Sequence, residues 1–246
     1  MSIVVKLIGS PQPGIIPVED GLSFEDVCTQ CCRDLEILPA SRHLFALRKQ
    51  SSQLYANPSD LLEADDDPYE LRVRFWPSLA NFSRIGPKAL NYFYRQVCDE
   101  FVEGKIPAFN NKINQSIALG LAVTAMYCQI KDDGARMSDV LTNYKRFVPK
   151  MVRRNSNLKY STESLKTGLS KVVQNPPGET WFCKQQFLKT IAQTATDYPI
   201  EKYPVRVEEG EELIEFELII QPMSVEQPGV KMQSLKKKIV IVLTFL

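Results

Sequence analysis

The chain has 246 residues, of which 44% are hydrophobic and 24% are charged, a composition typical of globular proteins. Its formal net charge is only +1, which excludes a generic polyanion-binding protein. The charges are unevenly distributed: residues 1–77 hold 7 basic and 12 acidic residues, 78–200 hold 17 and 9, and 201–246 hold 6 and 8. This asymmetry predicts three units, of which the middle one meets anionic partners.

The first unit, residues 1–77, combines strand patterns with a single helix. Ser23 is a suitable N-cap, because acidic residues follow in the first helical turn, and Pro39 is predicted to end the helix. Five strands are predicted, at 2–8, 14–20, 44–49, 53–57 and 69–77. The predicted core residues are Val5, Leu7, Phe24, Val27 and Leu35. This order of elements predicts a ubiquitin-like roll, an α+β arrangement.

The second unit, residues 84–199, reads as a helical bundle. Pro87 is placed for a first helical turn and Gly104 for a helix stop, and an uncharged stretch predicts a buried central helix. Within that helix, Gly120 is predicted to allow a close approach of a neighbouring helix. The predicted helices cover 87–104, 113–130, 137–147, 162–174 and 180–198.

The third unit, residues 200–246, reads as an incomplete β lobe. Two strands flank the acidic turn at 208–212, and one more lies in 235–246. The tail 222–246 matches no pattern that we can place. The apolar stretches Ile117–Met126 and 239–246 are too short to cross a bilayer, so a buried helix and a buried strand are expected.

The cysteines and the single histidine give weak signals for chemistry. Cys28, Cys31 and Cys32 lie close together, but no second ligand pair follows and His43 is isolated, so we expect no metal and no cofactor. A His43–cysteine nucleophile is the one enzymatic alternative, and no orienting acid accompanies it. No signal peptide is recognised at the N-terminus, which predicts reduced cysteines in the cytoplasm.

A concentrated basic run lies in the second unit, at residues 144–160. No acid occurs between Asp139 and Glu163, and apolar residues are threaded through the cations. Two interpretations stay open: a recognition surface for an anionic partner, or a solvated loop whose apolar residues tuck into the bundle. Nucleic acid fits poorly, because no aromatic stacking platform or recognition motif accompanies the run.

Several stretches resemble the N-terminal FERM region of the Janus kinase (JAK) family of non-receptor tyrosine kinases. LRVRFWP (71–77) resembles the family's exit strand, and YFYRQVCDEFVEGKIP (92–107) its first bundle helix. ALGLAVTAM (118–126), YKRFVPKMVRRN (144–155) and QQFLKTIAQT (185–194) are similar to later bundle segments. The resemblance implies a multi-lobe FERM fold: a ubiquitin-like lobe at 1–77, an acyl-CoA-binding-protein-like bundle at 84–199 and a partial pleckstrin-like lobe at 200–246.

The resemblance also implies a function. FERM regions of this family hold the kinase on cytoplasmic tails of cytokine receptors at the inner plasma membrane or an endomembrane, near anionic lipid. Intramolecular kinase or Src-homology domains would be further partners, although this chain lacks kinase motifs and is expected to be non-catalytic. The alternative is a membrane–cytoskeleton linker that binds phosphoinositides and a transmembrane protein's tail. The expected receptor- and membrane-binding residues are Lys145, Arg146, Phe147, Val148, Lys150, Met151, Arg153, Arg154 and Lys159.

Overall fold

The computed structural model describes most of the chain as a sheet, a group of helices and a second sheet, in that order. The described residues are 2–10, 14–17, 21–62, 67–77, 79–155, 158–196, 198, 201–209, 212–221, 229–234 and 240–244.

The first sheet has four described strands in the order β2-β1-β4-β3. The strands are β1 (Ser2–Lys6), β2 (Gly14–Pro17), β3 (Phe45–Lys49) and β4 (Tyr69–Val73). β1 and β4 run parallel, whereas β1–β2 and β3–β4 are antiparallel. The strand predicted at 53–57 is wrong: that segment makes only an isolated bridge, between Arg48 and Tyr55.

Two helices connect β2 to β3: α1 (Phe24–Asp34) and α2 (Pro39–Arg42). Ser23 caps α1 as expected, in a capping box with Asp26, and these hydrogen bonds lower the pKa of the Asp26 carboxyl. Pro39 begins α2, whereas the sequence predicted that it ends α1. Of the predicted core residues, two are fully buried, Val5 and Val27. The other three pack against the core while partly exposed: Leu7, Phe24 and Leu35.

The middle region contains six α-helices among the described residues. They are α3 (Pro87–Glu103), α4 (Gln115–Asp133), α5 (Met137–Thr142), α6 (Lys150–Asn155), α7 (Leu158–Gln174) and α8 (Thr180–Thr194). Gly104 ends α3 in the left-handed region at φ 77°, as its position predicted. The helix predicted at 137–147 is divided, because α5 stops at Thr142 and a separate 3₁₀ turn follows at Tyr144–Arg146.

α4 packs against α5, α7 and α8. The sequence prediction for Gly120 is wrong, because this glycine is exposed and a Cβ built on it would meet no atom within 4 Å. The close approach occurs at Gly168 of α7, where a Cβ would lie 3.1 Å from Cγ2 of Val123. Gly168 therefore sets the spacing between α4 and α7.

The second sheet is an antiparallel meander in the order β5-β6-β7-β8. Its strands are β5 (Glu201–Glu209), β6 (Glu212–Gln221), β7 (Gly229–Ser234) and β8 (Val240–Thr244). The sequence predicted β5, β6 and β8 but not β7. The rest of the unplaced tail, at 222–228, 235–239 and 245–246, lies outside the described residues.

Side chains of α3 complete the hydrogen bonding of β4 in the first sheet. β1 pairs with β4 only at Tyr69 and Glu70, so the backbone beyond that point needs other partners. The Gln96 amide accepts from the Val73 N–H at 2.8 Å and donates to the Val73 carbonyl at 3.1 Å. The Tyr92 hydroxyl donates to the Leu71 carbonyl at 2.7 Å. The helical region is thereby fixed to the first sheet.

Charged residues of β4 and its exit join the sheet to the other two regions. The Arg72 guanidinium pairs with the Glu100 carboxylate of α3, which also accepts from the Tyr198 hydroxyl. The Arg74 guanidinium pairs with Glu201 of β5 at 3.1 Å. Because these groups are buried or half-buried, removing one partner would leave the other unpaired.

We expect Gly168→Leu to lower the free energy of unfolding by about 1–3 kcal/mol, because the new side chain must displace Val123. The matched control is Gly120→Leu, which should leave stability unchanged or raise it by up to about 1 kcal/mol through helix propensity. Urea unfolding followed by circular dichroism at 222 nm measures both variants. Equal effects at the two positions would contradict the packing of α7 on α4.

We expect Gln96→Met to lower the free energy of unfolding by about 2–4 kcal/mol, because the Val73 N–H and carbonyl both lose their partner while the side-chain volume is kept. Gln186→Met, at an exposed glutamine of α8, is the matched control and should change stability by less than about 0.5 kcal/mol. If the Gln96 variant melts like the control, the side chain does not support β4.

Candidate binding surface on the helical region

The basic segment, defined here as residues 144–159, begins with a 3₁₀ turn and continues through α6 into the start of α7. The turn is closed by hydrogen bonds from the Arg146 N–H to the Asn143 carbonyl and from the Phe147 N–H to the Tyr144 carbonyl. Pro149 follows, and the Arg153 N–H bonds to its carbonyl at 3.1 Å. The chain therefore forms a 3₁₀ turn followed by the short helix α6, where the sequence predicted a helix only up to residue 147.

Apolar side chains anchor the basic segment to the core. Phe147 is 7% exposed, Val148 2% and Val152 3%, and all three belong to the hydrophobic core. Met151 is half-buried. Phe147 and Val148 were expected to contact a partner, but their surface is already covered by the protein itself. They act as anchors, whereas Met151 keeps part of its apolar surface open to a partner.

The cations of the segment point away from these anchors. Lys145, Arg146, Lys150 and Arg154 are exposed, and within the described part of the chain none of them forms an ion pair. Two exposed lysines elsewhere pair with acids: Lys88 lies 2.8 Å from Glu36 and Lys105 lies 2.6 Å from Glu103. The segment thus places four exposed cations without an ion pair, among the described residues, close together between positions 145 and 154.

Two further cations of the segment have different surroundings. Arg153 is half-buried, and its Nε atom is buried without a hydrogen-bond partner in the described residues. Lys159 lies in the first turn of α7, and its side chain is outside the described residues. The candidate binding surface, in the part that the structure describes, therefore consists of the four exposed cations beside the half-buried Met151.

A cavity of about 460 Å³ lies beside the segment, lined on one side by Arg146 and Phe147 and on the other by residues of α3, α4 and α8. Its charges are mixed. Lys184 pairs with Asp132 at 2.5 Å, and burial, followed by the neighbouring Glu103, raises the pKa of the Asp99 carboxyl. Because acids and bases alternate around it, this cavity is a poorer site for an anion than the outer face of the segment.

The cysteine chemistry considered from the sequence finds no support in this geometry. Cys28 and His43 line one pit, but the hydrogen bond with Cys32 and burial raise the pKa of the Cys28 thiol. Burial raises the pKa of Cys31 to about 12. Both groups are therefore thiols at neutral pH, whereas nucleophiles and metal ligands are thiolates. Among the described residues, no three metal-binding side chains converge.

A polar cavity of about 380 Å³, not predicted from the sequence, lies where the three regions meet. It is lined by Arg48, Arg72 and Arg74 of the first sheet and its exit, by Glu100 and Lys105, and by Glu201. The signal that could have revealed it is the alternation in LRVRF, in which two arginines interrupt a strand otherwise suited to burial. Buried arginines require carboxylate partners, and here these come from distant segments.

Comparison with known proteins identifies the fold. No protein-family model matches the chain. The FERM and C-terminal domain complex of Drosophila Merlin superposes with a TM-score of 0.67 at 17% identity, covering 100% of this chain and 79% of that one. The MyTH4-FERM MF2 domain of Dictyostelium discoideum myosin VII gives 0.66 at 11% identity, covering 99% and 55%. A human myosin 7b MyTH4-FERM domain in complex with harmonin-a PDZ3 gives 0.58 at 15%, covering 100% and 51%.

The chain has the fold of a FERM domain. This confirms the predicted architecture of a mixed sheet, a helical bundle and a second sheet. The chain spans about half the length of the myosin VII structure that it matches. In the described residues, no helix has both the length and the hydropathy to span a membrane.

We expect Phe147→Ala to lower the free energy of unfolding by about 3–5 kcal/mol, because it empties a core position. Met151→Ala, in the same segment but half-exposed, is the matched control and should cost less than about 1.5 kcal/mol. Urea unfolding monitored by circular dichroism compares the two. A Phe147 variant as stable as the Met151 variant would show that the segment is not anchored.

Proposed function

We propose that this chain is a non-catalytic FERM binding module that anchors a JAK-type tyrosine kinase to cytokine-receptor cytoplasmic tails at the inner membrane face. The observation that carries the proposal is the set of four exposed, unpaired cations on the basic segment, together with the apolar anchors that hold its backbone. The partner combines an anionic leaflet with the membrane-proximal receptor tail.

The physical properties of the segment suit such a partner. Each lysine or arginine near an anionic leaflet contributes roughly 1 kcal/mol, so four of them give about 4 kcal/mol of attraction. The buried anchors fix the position of the backbone before binding, which reduces the entropy that binding must remove. Met151 adds a flexible apolar contact beside the cations, which suits a peptide partner.

The kinase and receptor assignment rests on the sequence resemblance to the JAK family. YKRFVPKMVRRN (144–155) falls on the basic segment, and LRVRFWP (71–77) begins within β4, which links the sheet to both other regions. In a longer parent protein, Src-homology and kinase domains would be intramolecular partners. The module would then be a cytoplasmic, peripheral membrane protein without cofactor or metal.

A second candidate is a membrane–cytoskeleton linker that binds phosphoinositides and the tail of a transmembrane protein. The observation that favours it is the structural similarity to FERM domains of Merlin and myosin VII. The two candidates differ in partner. Binding measured in parallel to a receptor box-motif peptide and to phosphoinositide liposomes separates them, because a linker binds the liposomes and leaves the peptide free.

We expect the triple variant Lys145→Glu, Lys150→Glu, Arg154→Glu to lose binding to acidic liposomes and to a box-motif peptide. Its melting temperature should change little, because the three side chains are exposed and unpaired. Wild-type binding should weaken strongly between 0.1 M and 1 M salt, as the Debye length falls from about 10 Å to about 3 Å. Liposome co-sedimentation and fluorescence anisotropy measure the two interactions.

The matched control carries the same change in net charge at exposed lysines elsewhere in the helical region: Lys112→Glu, Lys166→Glu and Lys171→Glu. It should bind nearly as well as the wild type. If the two triple variants lose binding equally, the attraction comes from net charge and the basic segment has no special role. If binding survives the first variant, the contact lies elsewhere on the module.

A further inference from the structure

The outer edge of β3 presents backbone groups without partners. In β4, the Val73 N–H and carbonyl bond to Gln96, and the Leu71 carbonyl accepts from Tyr92. The backbone N–H and carbonyl groups of Val73 and Leu71 therefore point away from β3. Phe45 and Leu47 lie opposite Val73 and Leu71. Because strand backbone groups alternate in direction, Phe45 and Leu47 direct theirs away from β4.

Neighbouring hydrogen bonds support this assignment. The Leu47 carbonyl accepts from the Ala56 N–H at 2.9 Å, and the Lys49 N–H donates to the Leu54 carbonyl at 2.8 Å, so segment 54–56 covers one end of the edge. Among the described residues, nothing bonds to the Phe45 N–H, the Phe45 carbonyl or the Leu47 N–H. Two donors and one acceptor are therefore unpaired on one edge, as in sheets that accept an added strand, and the residues that carry them, Phe45 and Leu47, are 5% and 2% exposed.

An apolar pit of about 320 Å³ adjoins this edge. One wall is α1, with Phe24, Cys28 and Thr29, and the opposite wall is β3. Phe75, which is 52% exposed, also lines the pit, so a large aromatic surface remains open to solvent there. A strand added at β3 would place an apolar side chain in the pit, since side chains stand out of the sheet at alternate positions.

The basic residues at one rim of the pit favour a partner that carries acidic residues. Arg42 and His43 immediately precede β3 and line the pit. The Arg42 Nε donates to the Ile37 carbonyl at 3.2 Å, and in the described part of the chain neither Arg42 nor His43 forms an ion pair. Among the lining residues that the structure describes, Glu25 is the only acid. An acidic residue in the partner would pair with the Arg42 guanidinium.

We propose that the outer edge of β3 binds an extended apolar peptide flanked by acidic residues, which adds one short strand to the first sheet. The peptide backbone would bond to Phe45 and Leu47, one apolar side chain would fill the pit, and an acid would meet Arg42. This site shares no residue with the basic segment and is independent of the proposed function. Segment 54–56 limits the added strand to a few residues, which favours a short linear motif.

The probe is the fluorescein-labelled peptide Asp-Asp-Val-Ile-Val-Ile-Asp-Asp, whose binding to the full chain is followed by fluorescence anisotropy. Two derivatives carry N-methyl groups on alternate amides of the apolar core. One is methylated at the first and third residues of the core, and the other at the second and fourth. Only alternate amides of an added strand face β3, so one derivative should lose at least 10-fold in affinity and the other should bind within about 3-fold of the parent. Replacing the four aspartates by lysine should weaken binding at least 10-fold.

The protein variant is Thr29→Trp, which places an indole in the pit from the α1 wall and should reduce affinity for the peptide at least 10-fold. Gln30→Trp, at the neighbouring exposed position of α1, is the matched control and should bind within about 2-fold of the wild type. Circular dichroism melting confirms that both variants are folded. If Thr29→Trp does not fold, the two methylated peptides still test the proposal on the wild-type chain.

Three results would overturn the proposal. Equal affinities of the two methylated peptides would exclude strand addition. Peptide binding that survives in a folded Thr29→Trp variant would exclude the pit as part of the binding site. A wild-type chain that does not bind the peptide would exclude this occupant, and dimerisation in analytical ultracentrifugation would then make a second copy of the chain the competing occupant.

Discussion

The arrangement of the molecule depends on how the backbone of β4 is satisfied beyond the end of β1. Three polar residues of α3, spaced four apart, form one stripe along the helix and face β4 and its neighbours: Tyr92, Gln96 and Glu100. The first two supply the hydrogen bonds that a longer β1 would have made. Because buried backbone groups cost about 1–3 kcal/mol each when unpaired, the helix can hold only one position along the strand.

The ion pairs of β4 and its exit depend on the same alignment of α3 along β4. Once Gln96 is opposite Val73, the Glu100 carboxylate one turn further along α3 reaches the Arg72 guanidinium and the Tyr198 hydroxyl. Two residues after Arg72, the Arg74 guanidinium reaches Glu201, and it also lies 4.7 Å above the Tyr55 ring. The short strand β4 and its exit thus orient both the helices and the second sheet. We infer that these contacts act together, since each requires the register set by the others.

The sequence predicted well what depends on local spacing and poorly what depends on distant partners. Ser23 and Gly104 occupy the caps that their residue types predict, because capping is decided within one turn. The sequence prediction named Gly120 and did not consider Gly168; both glycines have helical surroundings, and only packing tells them apart. β7 was missed because the alternation in GVKMQS involves only two apolar residues, Val230 and Met232, and the strand forms between two strand partners. The cations of the basic segment were found from composition, but the burial of Phe147 and Val148 required the tertiary structure.

Both the basic segment and the outer edge of β3 carry polar groups that find no partner among the described residues. In the described residues, the segment's exposed cations form no ion pair, and the Phe45 N–H, the Phe45 carbonyl and the Leu47 N–H on the outer edge pair with no strand. The two surfaces require different properties of a partner. The cations interact over the Debye length and tolerate many geometries, so they suit a membrane surface. Backbone donors and acceptors need contact within about 3 Å and a defined register, so they suit a single short peptide. A module with both surfaces could combine a weak, salt-sensitive attachment to a surface with a specific choice of partner, because neither interaction uses a residue of the other.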